Sequence, residues 1–180
     1  MDVTHEAGMA AALSELGRVD DVLVTASAHH KVDVTDLDHD RLIGAFEAKV
    51  TGPLLLLKHL LPLIPPTGSV TLFSGGAAWR PVPSASVMGI TNGAVASAAI
   101  QLACELAPIR VNAIAPGVIN SRVWDNLDDE KNAFLEEAAK GTLVGRAGTL
   151  DDVVEAALWL LRAGFVTGET IHVSGGSRFK

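Results

Sequence analysis

Five side chains in this sequence could carry chemistry: His29, His30, Lys49, Ser74 and Arg80. Imidazole is the side chain best suited to proton transfer at neutral pH, and Ser74, set just before Gly75-Gly76, is a candidate catalytic hydroxyl. The competing reading, and the favoured one for the histidines and cations, is solvated loop histidines and surface charge, because no neighbour in sequence would shift their pKa values. Cys104, the single cysteine, lies on an apolar helical stripe and reads as core. It cannot form an internal disulfide, and it excludes a multi-cysteine zinc site. Asp128, Asp129 and Glu130 read as a helix start, so no metal site is expected. Trp79 and Trp159 read as packing residues, and Trp124 as one that could cover a substrate. The chain contains no tyrosine.

The elements that must position these residues alternate. Thr4 can cap a helix carrying Glu6, Met9, Leu13 and Leu16, with Gly17 as its stop. Asp20 to Thr25 is an apolar run without alternation, as expected of a strand buried on both faces. A long helix is predicted from Leu37 to about Leu61, with Pro53 able to kink it, and a second strand from Ser69 to Ser74. A second long helix spans Ser86 to Ala107, and a third strand spans Ile109 to Ala115. A polar stretch from Ser121 to about Gly148 holds short helices, followed by a helix from Asp151 to Arg162 and a last strand from Thr170 to Val173. This order predicts one α/β domain over residues 1–180 with a largely parallel sheet.

Composition limits the partners. The chain is 48% hydrophobic and 19% charged over 180 residues, too apolar for a disordered regulator. Its net charge of -7 offers no field for a phosphodiester backbone, so nucleic acid is not an expected partner. The apolar runs and the N-terminal residues show neither a bilayer span nor a secretory signal. Together with the lone cysteine this predicts a cytoplasmic protein that uses no membrane.

In open parallel sheets, ligands sit beyond the carboxyl ends of the strands. The segments there are Asp2-Val3-Thr4, Asp21 to Ala28 (DVLVTASA), Phe73-Ser74-Gly75, Ile109 to Val118 (IRVNAIAPGV) and Val166 to Gly176 (VTGETIHVSGG). In order and spacing they resemble the landmarks of the short-chain dehydrogenases/reductases over essentially the whole chain. The resemblance implies a Rossmann-type, doubly wound parallel sheet that binds NAD or NADP. By position it implies that Asp2 and Val3 lie beside the adenine and that Thr25, Ala26, Ser27 and Ala28 pass along the ribose. It also implies that Pro116, Gly117, Val118, Ile119 and Ser121 hold the nicotinamide amide.

Two departures qualify it. No Gly-rich strand-to-helix turn is present to cradle a pyrophosphate, and the resemblance begins at Asp2. The expectation is an N-terminally truncated fold whose Val22 strand has a bare edge, either a fragment or a chain that needs a partner, the fragment being favoured. Weak or absent dinucleotide binding by this chain alone follows. Second, the family's Tyr-x-x-x-Lys pair, in which the lysine lowers the tyrosine pKa, falls on Met88 and Asn92. The family serine falls on Gly75 beside Ser74, and the family's helix asparagine falls on Lys49. Asn92 is thereby also a cofactor-contact position.

The expected function is an NAD(P)-dependent oxidoreductase acting on a small-molecule carbonyl or alcohol, with the activity of this chain alone in doubt. The alternative is a non-catalytic Rossmann remnant serving as a binding or dimerisation module. A homodimer or homotetramer is expected through the two long helices, where Gly93, Ala94 and Ala98 permit close approach.

Overall fold

The computed structural model describes all 180 residues. Four parallel strands, β1 (Asp21–Val24), β2 (Ser69–Phe73), β3 (Arg110–Pro116) and β4 (Thr170–Val173), lie in the order β1-β2-β3-β4. Register runs from Val22 opposite Val70, through Val70 opposite Val111, to Ala113 opposite Thr170. The α/β class and all four strands match expectation to within a residue or two at each end. The Val22 strand is an edge, as predicted.

Side chains alternate between two layers. Val22, Val24, Val70, Leu72, Val111 and Ala113 enter one core, shared with α1 (Glu6–Leu13), α3 (Gly52–Leu60) and α4 (Ser86–Glu105). Ile114 enters the other, under Ala157 and Leu160 of α6 (Leu150–Arg162). Since α6 packs on β2, β3 and β4, Leu23 of β1 stays 42% exposed on that side. Helix α4 is long and apolar enough to cross a bilayer, yet it packs along β2 and β3 as a core helix.

The long helix predicted from Leu37 to Leu61 is interrupted. Helix α2 (His39–Phe46) passes into a π turn, Glu47–Thr51, before α3. Pro53 is the physical cause: its ring conflicts with the carbonyl four residues back, that of Lys49, and it has no N–H to give. The helix widens so that the Gly52 N–H reaches the Glu47 carbonyl. Gly52 is required there, because a Cβ would stand 2.5 Å from the Val3 carbonyl oxygen and 2.8 Å from that of Glu47.

Three local expectations need correction. Thr4 does not cap α1; its N–H and hydroxyl both donate to the Asp2 carboxylate, and His5 stands at the helix start without a side-chain bond. The helix then ends at Leu13, which leaves Leu16 exposed. Cys104 is exposed, not core, because α4 turns Ala99 and Val95 inward and carries Cys104 outward.

Helix α6 starts on a reciprocal cap: the Thr149 hydroxyl accepts the Asp152 N–H, and the Asp152 carboxylate accepts the Thr149 N–H. The Arg146 guanidinium, with both nitrogens 2.7 Å from Asp152, holds that carboxyl well below the usual range. Thr149→Ala is expected to lower stability by about 1 kcal/mol. An unchanged urea midpoint would show that Arg146 alone anchors the turn.

Candidate functional site

The carboxyl ends of β1, β2 and β3 form one rim, and three of the residues singled out in the sequence meet there. Ser74 follows β2 and is 5% exposed. Its N–H donates to the Ile114 carbonyl at 2.8 Å, and its hydroxyl donates to the Asn92 carbonyl at 2.7 Å. Its own carbonyl accepts the Lys49 ammonium at 3.2 Å. Beta-strand, π turn and α4 are thus joined through one residue.

Lys49 is 7% exposed and carries no ion pair. It borders a small, mostly apolar pocket that Leu57, Leu72, Val95, Ala98 and Leu102 also line, and burial pushes the ammonium pKa down to about 8. The reading of Lys49 as a surface cation is therefore overturned: the π turn rotates it inward. Asn92, 6% exposed, presents its amide to Gly75, where a Cβ would stand 2.7 Å from Nδ2. Glycine at 75 and asparagine at 92 are steric complements. Met88, one turn earlier on α4, is half-buried and offers only a thioether.

The remaining candidates sit around this group. Thr25, Ser27 and Ala28 continue β1 as an exposed run, with Ala26 half-buried against the core. Asp2 is exposed, and the N–H and hydroxyl of Thr4 hold its carboxyl below the usual range. Val3 packs on the core beside Gly52. At the end of β3, Pro116 and the Gly117 that follows lie close to neighbouring backbone: a Cβ on Gly76 would be 3.2 Å from the Pro116 oxygen, and one on Gly117 3.0 Å from Ser174 Cα. Val118 and Ile119 then bridge to Gly148, and Lys131 donates to the Ser121 carbonyl at 3.1 Å. Trp124 braces this segment, since its indole N–H donates to Ile119 at 2.9 Å and its ring lies 4.6 Å from Phe134.

His29 is exposed, as expected, whereas His30 is 3% exposed and accepts the Asp38 N–H at 3.3 Å. That bond ties the loop after β1 to the start of α2, and the reading of His30 as solvated fails on it. Arg80 is also no free surface cation: it is half-buried and donates to the Gly141 carbonyl at 3.0 Å, joining the segment after β2 to the end of α5 (Lys131–Lys140). Trp79 packs edge-on against His172, with centroids 4.5 Å apart. Burial, and next the Arg178 charge, lower the His172 pKa.

Beside the rim lies an open cavity of about 640 Å³. Val32, Val34, Pro81, Val82 and Ile90 make it largely apolar, and the Ser84 hydroxyl donates to the Asp33 carboxylate across it. Gly89 and Ile90, which line it, directly follow Met88 on α4. No sequence signal singled out this bridge, because Asp33 and Ser84 are 51 residues apart.

Comparison with known proteins adds a family. The model described as enoyl-(acyl carrier protein) reductase matches residues 1–178. The chain is 31% identical over 172 residues to tropinone reductase-like 3 of Erythroxylum coca, covering 92% of this chain and 65% of that protein. It is 32% identical over 165 residues to short-chain dehydrogenase/reductase ucsE of Acremonium sp, covering 89% and 62%. It therefore spans just under two thirds of the length of these curated relatives. Among solved structures, a small-chain dehydrogenase in complex with NADPH superposes with a TM-score of 0.95 at 30% identity, covering 100% of this chain and 83% of that one.

Proposed function

Because this chain belongs to the short-chain dehydrogenase/reductase family, we propose that it forms the reaction rim of an oxidoreductase that interconverts a small carbonyl compound and its alcohol with NAD or NADP. The observation that supports this most directly is the convergence of Lys49, Ser74 and Asn92 at the carboxyl end of β2, beside an apolar cavity. When bound, the cofactor supplies the hydride.

The residues present fit the nicotinamide end of such a cofactor. Gly76 and Gly117 let the backbone after β2 and β3 pack closely, since a Cβ at 76 would stand 3.2 Å from the Pro116 oxygen and one at 117 3.0 Å from Ser174 Cα, and this fixes the segment that would face the nicotinamide. Pro116 to Ser121 is held rigid by its bonds to Gly148, Trp124 and Lys131, so its polar groups are positioned before anything binds. Thr25 to Ala28 offer the exposed edge along which a ribose would pass, and Asp2 the further edge toward an adenine. No Gly-rich turn in the sequence offers its amides to a pyrophosphate.

A homodimer is part of the same reading. Ile43 and Leu54, at 43% and 42% exposed, and Ile90 and Ile100, at 59% and 52%, leave apolar surface on the α2–α3 and α4 helices. A cytoplasmic location suits the free thiol of exposed Cys104.

Nuclear magnetic resonance titration tests the cofactor assignment. Nicotinamide mononucleotide at about millimolar concentration is expected to shift amides of Ser74 to Gly76 and Pro116 to Ser121, and NAD or NADP to bind the chain less than about tenfold more tightly. Absence of shifts in both segments would overturn the assignment.

A further inference from the structure

We propose that the open cavity beside the rim is a binding site for a small apolar amine in its protonated form, with the Asp33 carboxylate as the group that selects the charge. The proposal goes beyond the oxidoreductase reading and does not depend on it.

The cavity has the size and lining of a small-molecule site. Its volume of about 640 Å³ falls within the roughly 300 to 1,000 Å³ of ligand pockets, and Val32, Val34, Val82 and Ile90 give it apolar walls. Asp33 is the one charged residue that lines it. The ion pairs of the chain use Glu6, Asp20, Asp40, Asp125, Glu137 and Asp152, and leave Asp33 without a basic partner. An anion in the cavity would meet no cation, whereas a positive head group meets a free carboxylate. The net charge of -7 adds long-range attraction of the same sign.

The chain holds that carboxylate at the cavity instead of spending it on local backbone. Asp33 stands at the N-cap of the short 3-10 turn Val34–Asp36, where an aspartate ordinarily accepts an N–H of its own turn, and its side chain makes no such bond. Oδ1 accepts the Ser84 hydroxyl from across the cavity. Ser84 reaches it with a φ of 61°, a left-handed conformation that a non-glycine residue seldom occupies and that persists only where the surrounding structure holds it. Oδ2 receives no protein donor, so the carboxylate keeps acceptor capacity for an ammonium N–H.

The walls determine the rest of the ligand. Because the cavity is open and Asp33 is exposed, the ammonium stays partly hydrated and its ion pair is modest. Most of the affinity then comes from an apolar body covering Val34, Val82 and Ile90, which are 68%, 47% and 59% exposed. A polyol would leave these walls without an apolar partner.

Nuclear magnetic resonance titration of the 180-residue chain with cyclohexylmethylamine, cyclohexylmethanol and cyclohexanecarboxylate compares one apolar body under a cationic, a neutral and an anionic head. At pH 7 the amine is expected to shift amides of Val32 to Thr35 and Ser84 to Ile90 with a Kd of about 1 mM, about fivefold tighter than the alcohol, with the carboxylate weakest. Raising the salt from about 20 mM to about 500 mM should remove most of the amine's advantage and leave the alcohol unchanged. Asp33→Asn should bring the amine to the alcohol's affinity while the alcohol binds as before. The comparison of the three probes on wild type needs no variant to fold. Equal affinity of amine and alcohol for wild type, shifts absent or confined to other residues, or an unchanged amine affinity in Asp33→Asn overturns the proposal. Movement of the same amides on dilution of the free protein also overturns it, since that would show a second copy seated on the cavity. Nicotinamide binding and carbonyl turnover enter none of these readouts, so failure here leaves the oxidoreductase reading standing.

Discussion

Lys49→Met is expected to make the protein more stable at pH 7 and to lose that advantage as the pH approaches 10.5. A fall in the Lys49 pKa from its ordinary 10.5 to about 8 corresponds to a burial penalty of about 3 kcal/mol on the charged form. Below pH 8 the folded and unfolded chains both carry the proton, so the penalty acts in full. Between pH 8 and 10.5 the unfolded chain binds more protons than the folded one, and wild-type stability rises with pH. Methionine occupies the same buried position without the charge, at the loss of one hydrogen bond to Ser74 worth about 1 kcal/mol. The net gain at pH 7 is therefore about 2 kcal/mol, and it should reverse sign above the ordinary lysine pKa. Urea unfolding of both proteins at pH 7, 8.5 and 10 measures this directly. A difference independent of pH would mean that Lys49 keeps an ordinary pKa in the fold.

Asn112→Ala is expected to cost about 3 kcal/mol. Asn112 is 1% exposed in the middle of β3, and its amide makes two bonds: Nδ2 donates to Val166 at 2.9 Å, and Oδ1 accepts the Glu169 N–H at 3.1 Å. Around it the Val111 N–H donates to the Thr167 hydroxyl at 3.0 Å, and the Gly168 N–H donates to the Val111 carbonyl at 2.7 Å. The loop before β4 is thus attached to β3 mostly through side chains, because strand pairing begins only at Ala113 opposite Thr170. Removing the amide leaves the Val166 carbonyl and the Glu169 N–H without these partners in a half-buried setting. The urea midpoint should fall with no change in slope. A loss below about 1 kcal/mol would indicate that the loop finds substitute partners at little cost.

Much of this architecture could be read from residue patterns. Unbroken apolar runs such as SVTLF mark strands covered on two faces, and their ends follow from Gly-Gly and Pro-Gly pairs. The meeting of Lys49, Ser74 and Asn92 was legible only through the family resemblance, since 25 and 18 residues separate Ser74 from its two partners. Burial of His30 was not legible, because its partner is a backbone N–H whose position depends on a loop conformation. Cys104 misled because α4 is apolar on nearly all sides, so hydrophobic pattern alone does not say which face turns inward. Asn112 carried a usable signal: a lone amide inside RVNAIAP must find partners for two donors and an acceptor.

The π turn gives chain length a role that residue identity does not have. Such a turn holds one residue more than an α turn, which puts the faces of α2 and α3 about 100° out of phase. Lys49 lies inside this phase slip. Deleting one residue between Glu47 and Thr51 would turn α2 against α3 by that angle and swing Lys49 or its neighbours around the axis, whereas substitution at positions other than Pro53 leaves the slip in place. The architecture of the rim is thus encoded partly as a count of residues, and a mutational map built from substitutions alone would leave that variable unsampled.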